Sequence, residues 1–228
     1  MSVSRCIKAM SAIIARRPTL SEPTWPSSQT QFPSSSQDIP AAPTPTPSLL
    51  KSSPYDYPTN FLDLSTLDTP DLLFAKAMTA FESTRPDYAT QPYAESFNFS
   101  EVLTLLRSLA AAEQYTWKEH VFYVVVFQST LKRGADGELL HKLDQESHRE
   151  ACASGGLLKY WFGSPDGERR NLATCYWSSR DHARRGGTGP WHKKARAAAG
   201  QLYDRIDFST YRFTISEGAT DFSLESWT

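Results

Sequence analysis

Two stretches carry the side chains best suited to chemistry. In the first, His141, Gln145, His148 and Cys152 recur at intervals that place them within about 60° of one another on an α-helix. Imidazole and thiol groups are metal ligands, and Asp144 stands where it would orient one of them. Axial spacing argues against a shared ion, because eleven residues along a helix separate His141 from Cys152 by about 16 Å. The expectation is a polar helix face, solvated or covered by the N-terminal part of the chain, with no metal.

The second stretch is Arg180–Lys194, RDHARRGGTGPWHKK. Ser178 or Ser179 suits the cap of a short helix, Gly186-Gly187 breaks it, and Pro190 opens another helix running to about Tyr203. Thr188 and Gly189 then stand at a helix N-terminus, where free backbone N–H groups attract anions. With Arg184, Arg185, Lys193 and Lys194 alongside, Gly187, Thr188 and Gly189 form a candidate site for a phosphate or carboxylate. The alternative is a plain helix interruption in which glycine supplies positive φ. His192 falls in the first turn of the second helix, where the dipole favours a neutral imidazole able to act as general base or ligand anchor. Tyr160, Trp161, Tyr176, Trp177 and Trp191, with Arg180, are candidates for a pocket around it; the rings are equally candidates for core. Ser129, Ser178 and Ser179 lie in no GxSxG context, Cys175 sits mid-strand, and no dinucleotide or Walker loop exists. No cofactor is implied.

These groups need a scaffold, and its elements are readable. Val121–Leu131 is apolar at both parities until Gln128, the mark of a central strand covered on both faces. A helix follows from Asp136 or Gly137 to Ser154, with Leu139, Leu140, Leu143, Ser147 and Ala151 inward and Gly155-Gly156 ending it. Leu157–Gly163 and Arg169–Ser178 form a hairpin across Ser164-Pro165-Asp166-Gly167. After the helical segment, Arg205–Ser216 alternates as a last strand. The order is β-α-β-β-α-β, the ferredoxin-like α+β arrangement. Two helices precede it: one capped at Asp68 or Thr69, running to Phe81, and one over Ser100–Glu113. They read as a helical cover over residues 54–118, packed on an α+β domain over 119–228. In this architecture the sheet face away from the helices needs covering. Either two sheets close face to face around a cavity in a homodimer, or residues 55–117 cover it within one chain.

Composition divides the chain in the same way. Ten of its 15 prolines lie in residues 1–60, while all 11 glycines lie at or beyond Gly134. The Pro/Ser-rich stretch is too poor in apolar residues to offset its ordering entropy, so residues 1–53 are expected to be a disordered tail. Residues 1–21 contain Arg5, Lys8, Arg16 and Arg17 and no acid, and on a helix they separate into apolar and basic sides. That pattern fits a mitochondrial presequence or a short basic tail on a cytoplasmic or nuclear protein. With 24 Lys and Arg against 25 Asp and Glu, no whole-chain footprint for nucleic acid exists. No run approaches the 18 apolar residues of a membrane-spanning helix. Three cysteines without CxxC spacing exclude a disulfide scaffold or zinc ribbon and fit reduced intracellular thiols.

Several runs carry a family resemblance. Asp87-Tyr88-Ala89-Thr90, Phe97-Asn98-Phe99, residues 155–163 (GGLLKYWFG), Asn171-Leu172-Ala173-Thr174-Cys175 and residues 189–195 (GPWHKKA) resemble an uncharacterised family of fungal proteins. That resemblance spans the chain from about Pro54 to the C-terminus and implies relatives without implying a reaction. Residues 177–183 (WSSRDHA), followed by Pro190-Trp191-His192, are similar to the strand-to-helix corner of antibiotic-biosynthesis-monooxygenase-like dimeric α+β barrels. That superfamily includes cofactor-free oxygenases, haem degraders and plain ligand binders, so the fold implied does not choose a reaction. Arg184-x-x-Gly187-x-Gly189 also resembles the pyrophosphate loop of acetyl-CoA-dependent N-acetyltransferases, although Pro190 directly after it departs from that loop. Three functions are thus carried forward. The first is a small-molecule-binding α+β-barrel protein, with a cofactor-independent enzyme on an apolar or aromatic metabolite as its catalytic form. The second is an acyl-CoA-dependent N-acyltransferase, and the third is a non-catalytic interaction protein.

Overall fold

The computed structural model describes residues 48–227. The basic segment 1–21 and most of the expected tail lie outside the described residues. The tail boundary expected at residue 53 is corrected: β1 (Leu49–Leu50) pairs with β2 (Leu62–Asp63), and Ser52 and Ser53 are buried.

A five-stranded antiparallel sheet forms the centre. Its strands are β3 (His120–Leu131), β4 (Leu157–Phe162), β5 (Arg170–Trp177), β6 (Tyr203–Ile215) and β7 (Phe222–Ser226), in spatial order β4-β5-β3-β6-β7. β3 is the central strand the sequence calls for, since β-branched and aromatic side chains at both parities find a packed layer on each face. Without β7, the remaining four strands and their crossover helices have the ferredoxin-like order. β7 had no sequence signal beyond its short alternation, and it extends the sheet past the expected last strand.

The crossover helices α3 (Gly137–Ser154), α4 (Arg180–Gly186) and α5 (Pro190–Leu202) share one face. α3 starts where Asp136 accepts hydrogen bonds from the N–H groups of Glu138 and Leu139, both at 3.0 Å. It stops at Gly155 and Gly156, whose φ values of 80° and 76° suit glycine far better than any other residue.

The opposite face is covered by α1 (Thr69–Ala77) and α2 (Phe99–Ala112), so the within-chain alternative is the one realised. Asp68 caps α1 through Asp71 N at 3.2 Å. α2 begins one residue before the expected Ser100. Asn98 takes the cap position but spends its side chain on the preceding loop, accepting from Glu82 N and donating to Ala80 O. Phe74 stacks on Phe122 with ring centroids 4.0 Å apart and meets Phe213 and Tyr176 edge-on or tilted; Phe81, Phe97 and Phe99 extend the layer. The face on which a second sheet would close is therefore filled by the chain's own aromatic rings.

Candidate functional site

Of the polar face expected on α3, His148 is buried under residues 55–60, Gln145 and Cys152 are half-buried, and His141 is exposed. Asp144, His148 and Cys152 recur every fourth residue, so they form one row on the helix. Tyr55 and Asn60 reach over the row, burying His148 and leaving Asp144 and Cys152 half-buried. The Tyr55 hydroxyl donates to Asp144 Oδ2, and the Tyr160 hydroxyl, from β4, donates to Oδ1 at 2.6 Å. Asn60 Nδ2 donates to His148 Nδ1 at 2.8 Å, which fixes that nitrogen as an acceptor, and the Cys152 thiol donates to Asn60 O at 3.4 Å. The two phenol rings stack with centroids 6.5 Å apart, and the imidazole stands beside them, 5.2 Å from each.

Desolvation sets the electrostatics of this cluster. Burial raises the Asp144 carboxyl above the usual carboxylate range, against the two hydroxyls that favour its charge. Burial likewise lowers His148 to about 4, helped by His192, so its imidazole is neutral. Cys152 is pushed up to about 12 by burial, and Cys175 is raised for the same reason, which makes both thiols poor nucleophiles. Both tyrosines are raised by burial and by the negative charge beside them. Among the described residues no three His, Cys, Asp or Glu side chains are placed to hold a metal ion.

The anion site expected at Gly187–Gly189 has a different occupant. Glu150, from α3, lays its carboxylate across the N-terminus of α5 and accepts from Trp191 N at 2.7 Å and His192 N at 3.1 Å. Its Oε2 also stands 3.1 Å from His192 Nδ1. Burial works to raise this carboxyl, but the N–H groups and His192 outweigh it and leave it below the usual range. A Cβ on Gly189 would overlap the carboxylate, so glycine is needed for that close approach. The helix dipole does attract an anion, as the residue types imply, but the protein supplies it. Gly187, at φ −83°, uses no left-handed conformation, which corrects the positive-φ alternative.

The other expected site residues are dispersed. Tyr160 and Trp161 are neighbours on a strand and face opposite sides of the sheet, so they line no common pocket. Tyr160 joins Asp144, whereas Trp161 packs on Tyr88 and Phe97 under the cover. Tyr176 also faces the cover, and Trp177 is buried on the helix side. Arg180 stands 5.9 Å from the Trp227 ring, Lys194 stands 3.9 Å from that of Trp191, and Arg184, Arg185 and Thr188 are exposed. The aromatic pocket around His192 is not formed. Tyr55, Asn60 and Glu150 were not visible as site residues, because nothing local marks a contact made across 42 or 89 residues. Asp144 carried a signal: an acid four residues before a His on the same helix face.

A β-α-β-β-α-β antiparallel sheet with its crossover helices on one face, and a polar centre between helix and sheet, defines a ferredoxin-like α+β protein. The chain belongs to the PB2B2.08-like family, whose model matches residues 51–226. It is similar to UPF0643 protein PB2B2.08 of Schizosaccharomyces pombe, 36% identical over an alignment of 188 positions that covers 76% of this chain and 82% of the yeast protein. Among solved structures, SO0527 from Shewanella oneidensis is similar at 14% identity and a TM-score of 0.38, covering 43% of this chain and 100% of that one. SnoaB, a cofactor-independent oxygenase from Streptomyces nogalater, is similar at 15% identity and a TM-score of 0.32, covering 41% of this chain and 91% of that one.

Proposed function

We propose that the protein binds a small aromatic molecule bearing a hydroxyl group, in the slot that Tyr55 fills between His148, Tyr160 and Phe162. The observation that carries this reading is Asp144: a half-buried carboxylate with no cation bonded to it among the described residues, held by two phenolic hydroxyls. One of those phenols belongs to a strap of the N-terminal segment and not to the sheet, so it acts as an internal ligand. A molecule of the same chemistry, displacing Tyr55, would place its ring among the same side chains and its hydroxyl on Asp144. His148 is neutral, and because its Nδ1 accepts from Asn60 its Nε2 carries the proton, so beside the ligand it is a hydrogen-bond donor and not a base. Buried titratable groups with strongly shifted affinities in one small region are a common sign of a functional site.

Two other readings weaken or stand apart. An acyl-CoA-dependent transferase loses its main support, because the N–H groups that would meet a pyrophosphate are bonded to Glu150. A homodimer closed sheet to sheet is unsupported too, since the required face is filled. The filled face favours the non-catalytic interaction protein as the second reading.

The test uses the full chain and 1-naphthol, followed by protein fluorescence. Wild type is expected to bind it, Tyr55→Ala to bind at least tenfold more tightly because the strap no longer competes, and Asp144→Leu to lose binding. Binding by Tyr55→Ala with none by wild type would make Tyr55 an ordinary core residue and overturn the reading. Binding unaltered in Asp144→Leu would overturn it as well.

A further inference from the structure

We infer that the free edge of β6 is a two-fold interface with a second copy of this chain. β7 pairs with β6 from Tyr211 to Ile215, so among the described residues Tyr203–Thr210 has no strand on that side. Trp227 N donates to Thr210 O at 2.9 Å, which shows that Thr210 turns its backbone outward. Backbone groups alternate in direction along a regular strand, so Ile206 and Phe208 also point their N–H and C=O groups away from β3; the alternation ends at Asp204, where the register with β3 shifts by one residue. The same stretch holds large apolar side chains in the open: Phe208 is 61% exposed and Ile206 44%. Phe208 leans on Phe127, at 5.3 Å between ring centroids, and so extends the apolar surface onto the sheet. An edge with unpaired backbone groups and exposed apolar side chains is a template for another strand.

The charges on this edge identify the strand. Arg205 and Asp207 flank Ile206, and they bond each other at 2.6 Å while remaining largely exposed. If a second β6 runs antiparallel about Ile206, Ile206 faces itself, and Arg205 of each copy faces Asp207 of the other. The outward N–H and C=O groups of Ile206 then pair with those of Ile206 of the copy, and Phe208 of each chain comes opposite Asp204 of the other. Other centres fit less well. A centre on Asp207 or Arg205 sets like charges against each other across the axis, and one on Phe208 drives Arg205 onto Tyr211, where β7 already lies. A two-fold contact of this kind closes on itself and gives a dimer without filaments. It joins the sheets edge to edge, leaving both the covered face and the Asp144 centre untouched.

Sedimentation equilibrium on the full chain tests the register. Wild type is expected to be a dimer at about 50 μM, and Asp207→Arg, which opposes arginines across the axis, to dimerise at least tenfold more weakly. The double variant Arg205→Asp/Asp207→Arg restores opposite charges and is expected to recover dimerisation. Ile206→Lys is expected to be monomeric, with unchanged circular dichroism showing that it folds. A monomeric wild type overturns the proposal. So does a dimer indifferent to Asp207→Arg and Ile206→Lys, or a double variant no better than the single one.

Discussion

On the cover side of the sheet, Phe74, Phe122, Tyr176 and Phe213 meet ring to ring, and the Tyr93 hydroxyl bonds those of Thr174 and Tyr176 at 2.8 and 2.7 Å. On the helix side, a carboxylate, an imidazole and a thiol lie in one row beneath two tyrosines. Both sides exclude water, yet they respond differently to change. Apart from the Asp71–His120 pair at 3.6 Å, the cover side is stabilised by apolar area and shape, which depend little on pH. The helix side holds groups whose charge burial suppresses, so its stability is tied to protonation. A fold that needed only a core would gain by making both sides like the first, because buried ionisable groups cost stability when ionised. That asymmetry is the reason for placing function on the helix side.

The largest expected effect sharpens the cover half of the contrast. Phe74 has no exposed surface and contacts three other rings, so Phe74→Ala leaves a cavity that the stacked layer fills poorly. A loss of about 3–5 kcal/mol is expected in urea unfolding, equal within error at pH 7 and pH 5. A loss that varied strongly with pH would mean that the aromatic layer around Phe74 is coupled to a titrating group, and the contrast would fail.

The helix half is sharpened by acid. His148 binds its proton at about 4 in the folded chain against an ordinary value of 6.5. A depressed folded value means stability that is full above about 6.5 and is lost as pH falls toward 4, amounting to about 3 kcal/mol. Asp144 acts in the opposite sense. Its raised carboxyl favours the folded state at low pH, and that advantage disappears as pH rises through its folded value. The informative quantity is the difference in unfolding free energy between wild type and His148→Gln. It is expected to fall by about 3 kcal/mol between pH 7 and pH 4. A flat difference would mean that a charged imidazole is tolerated there and would break the comparison.

The elements were legible because hydrophobic period and capping are local properties. VFYVVVF fixes a central strand, Ser164-Pro165-Asp166-Gly167 fixes a hairpin, and Gly155-Gly156 ends a helix in the structure as in the sequence. The site was legible only where one element carried it. The i, i+4 row of Asp144, His148 and Cys152 is a property of a single helix. Tyr55 and Asn60 reach that row from about 90 residues away, and a lone Tyr in a Pro-rich stretch carries no mark of where it will land. Trp161 shows the converse problem: strand alternation separated it from Tyr160, but which face would hold the site was decided by α1 and α2 filling the other one. Gly187–Gly189 revealed an affinity for anions, while the anion itself came from Glu150, a different helix.

That last pair gives the smallest effect and the finest division within the helix side. Glu150 and Gly189 serve structure there, joining α3 to α5, whereas Asp144 joins α3 to the strap. Gly189→Ala would push the carboxylate off Trp191 N and His192 N, at an expected cost of about 1 kcal/mol. In a Glu150→Ala background the overlap is gone. Two weak terms then remain: alanine is a poorer N-cap than glycine, and it reduces the entropy of the unfolded chain. They oppose each other, so the substitution becomes nearly neutral. A double-mutant cycle should therefore return a coupling of about 1 kcal/mol between the two positions, with 1-naphthol binding unchanged in all four proteins. Coupling near zero would show that glycine is there for another reason. Altered naphthol binding would merge the Glu150 bridge with the Asp144 centre into one site, and the helix side would no longer divide into a part that holds and a part that binds.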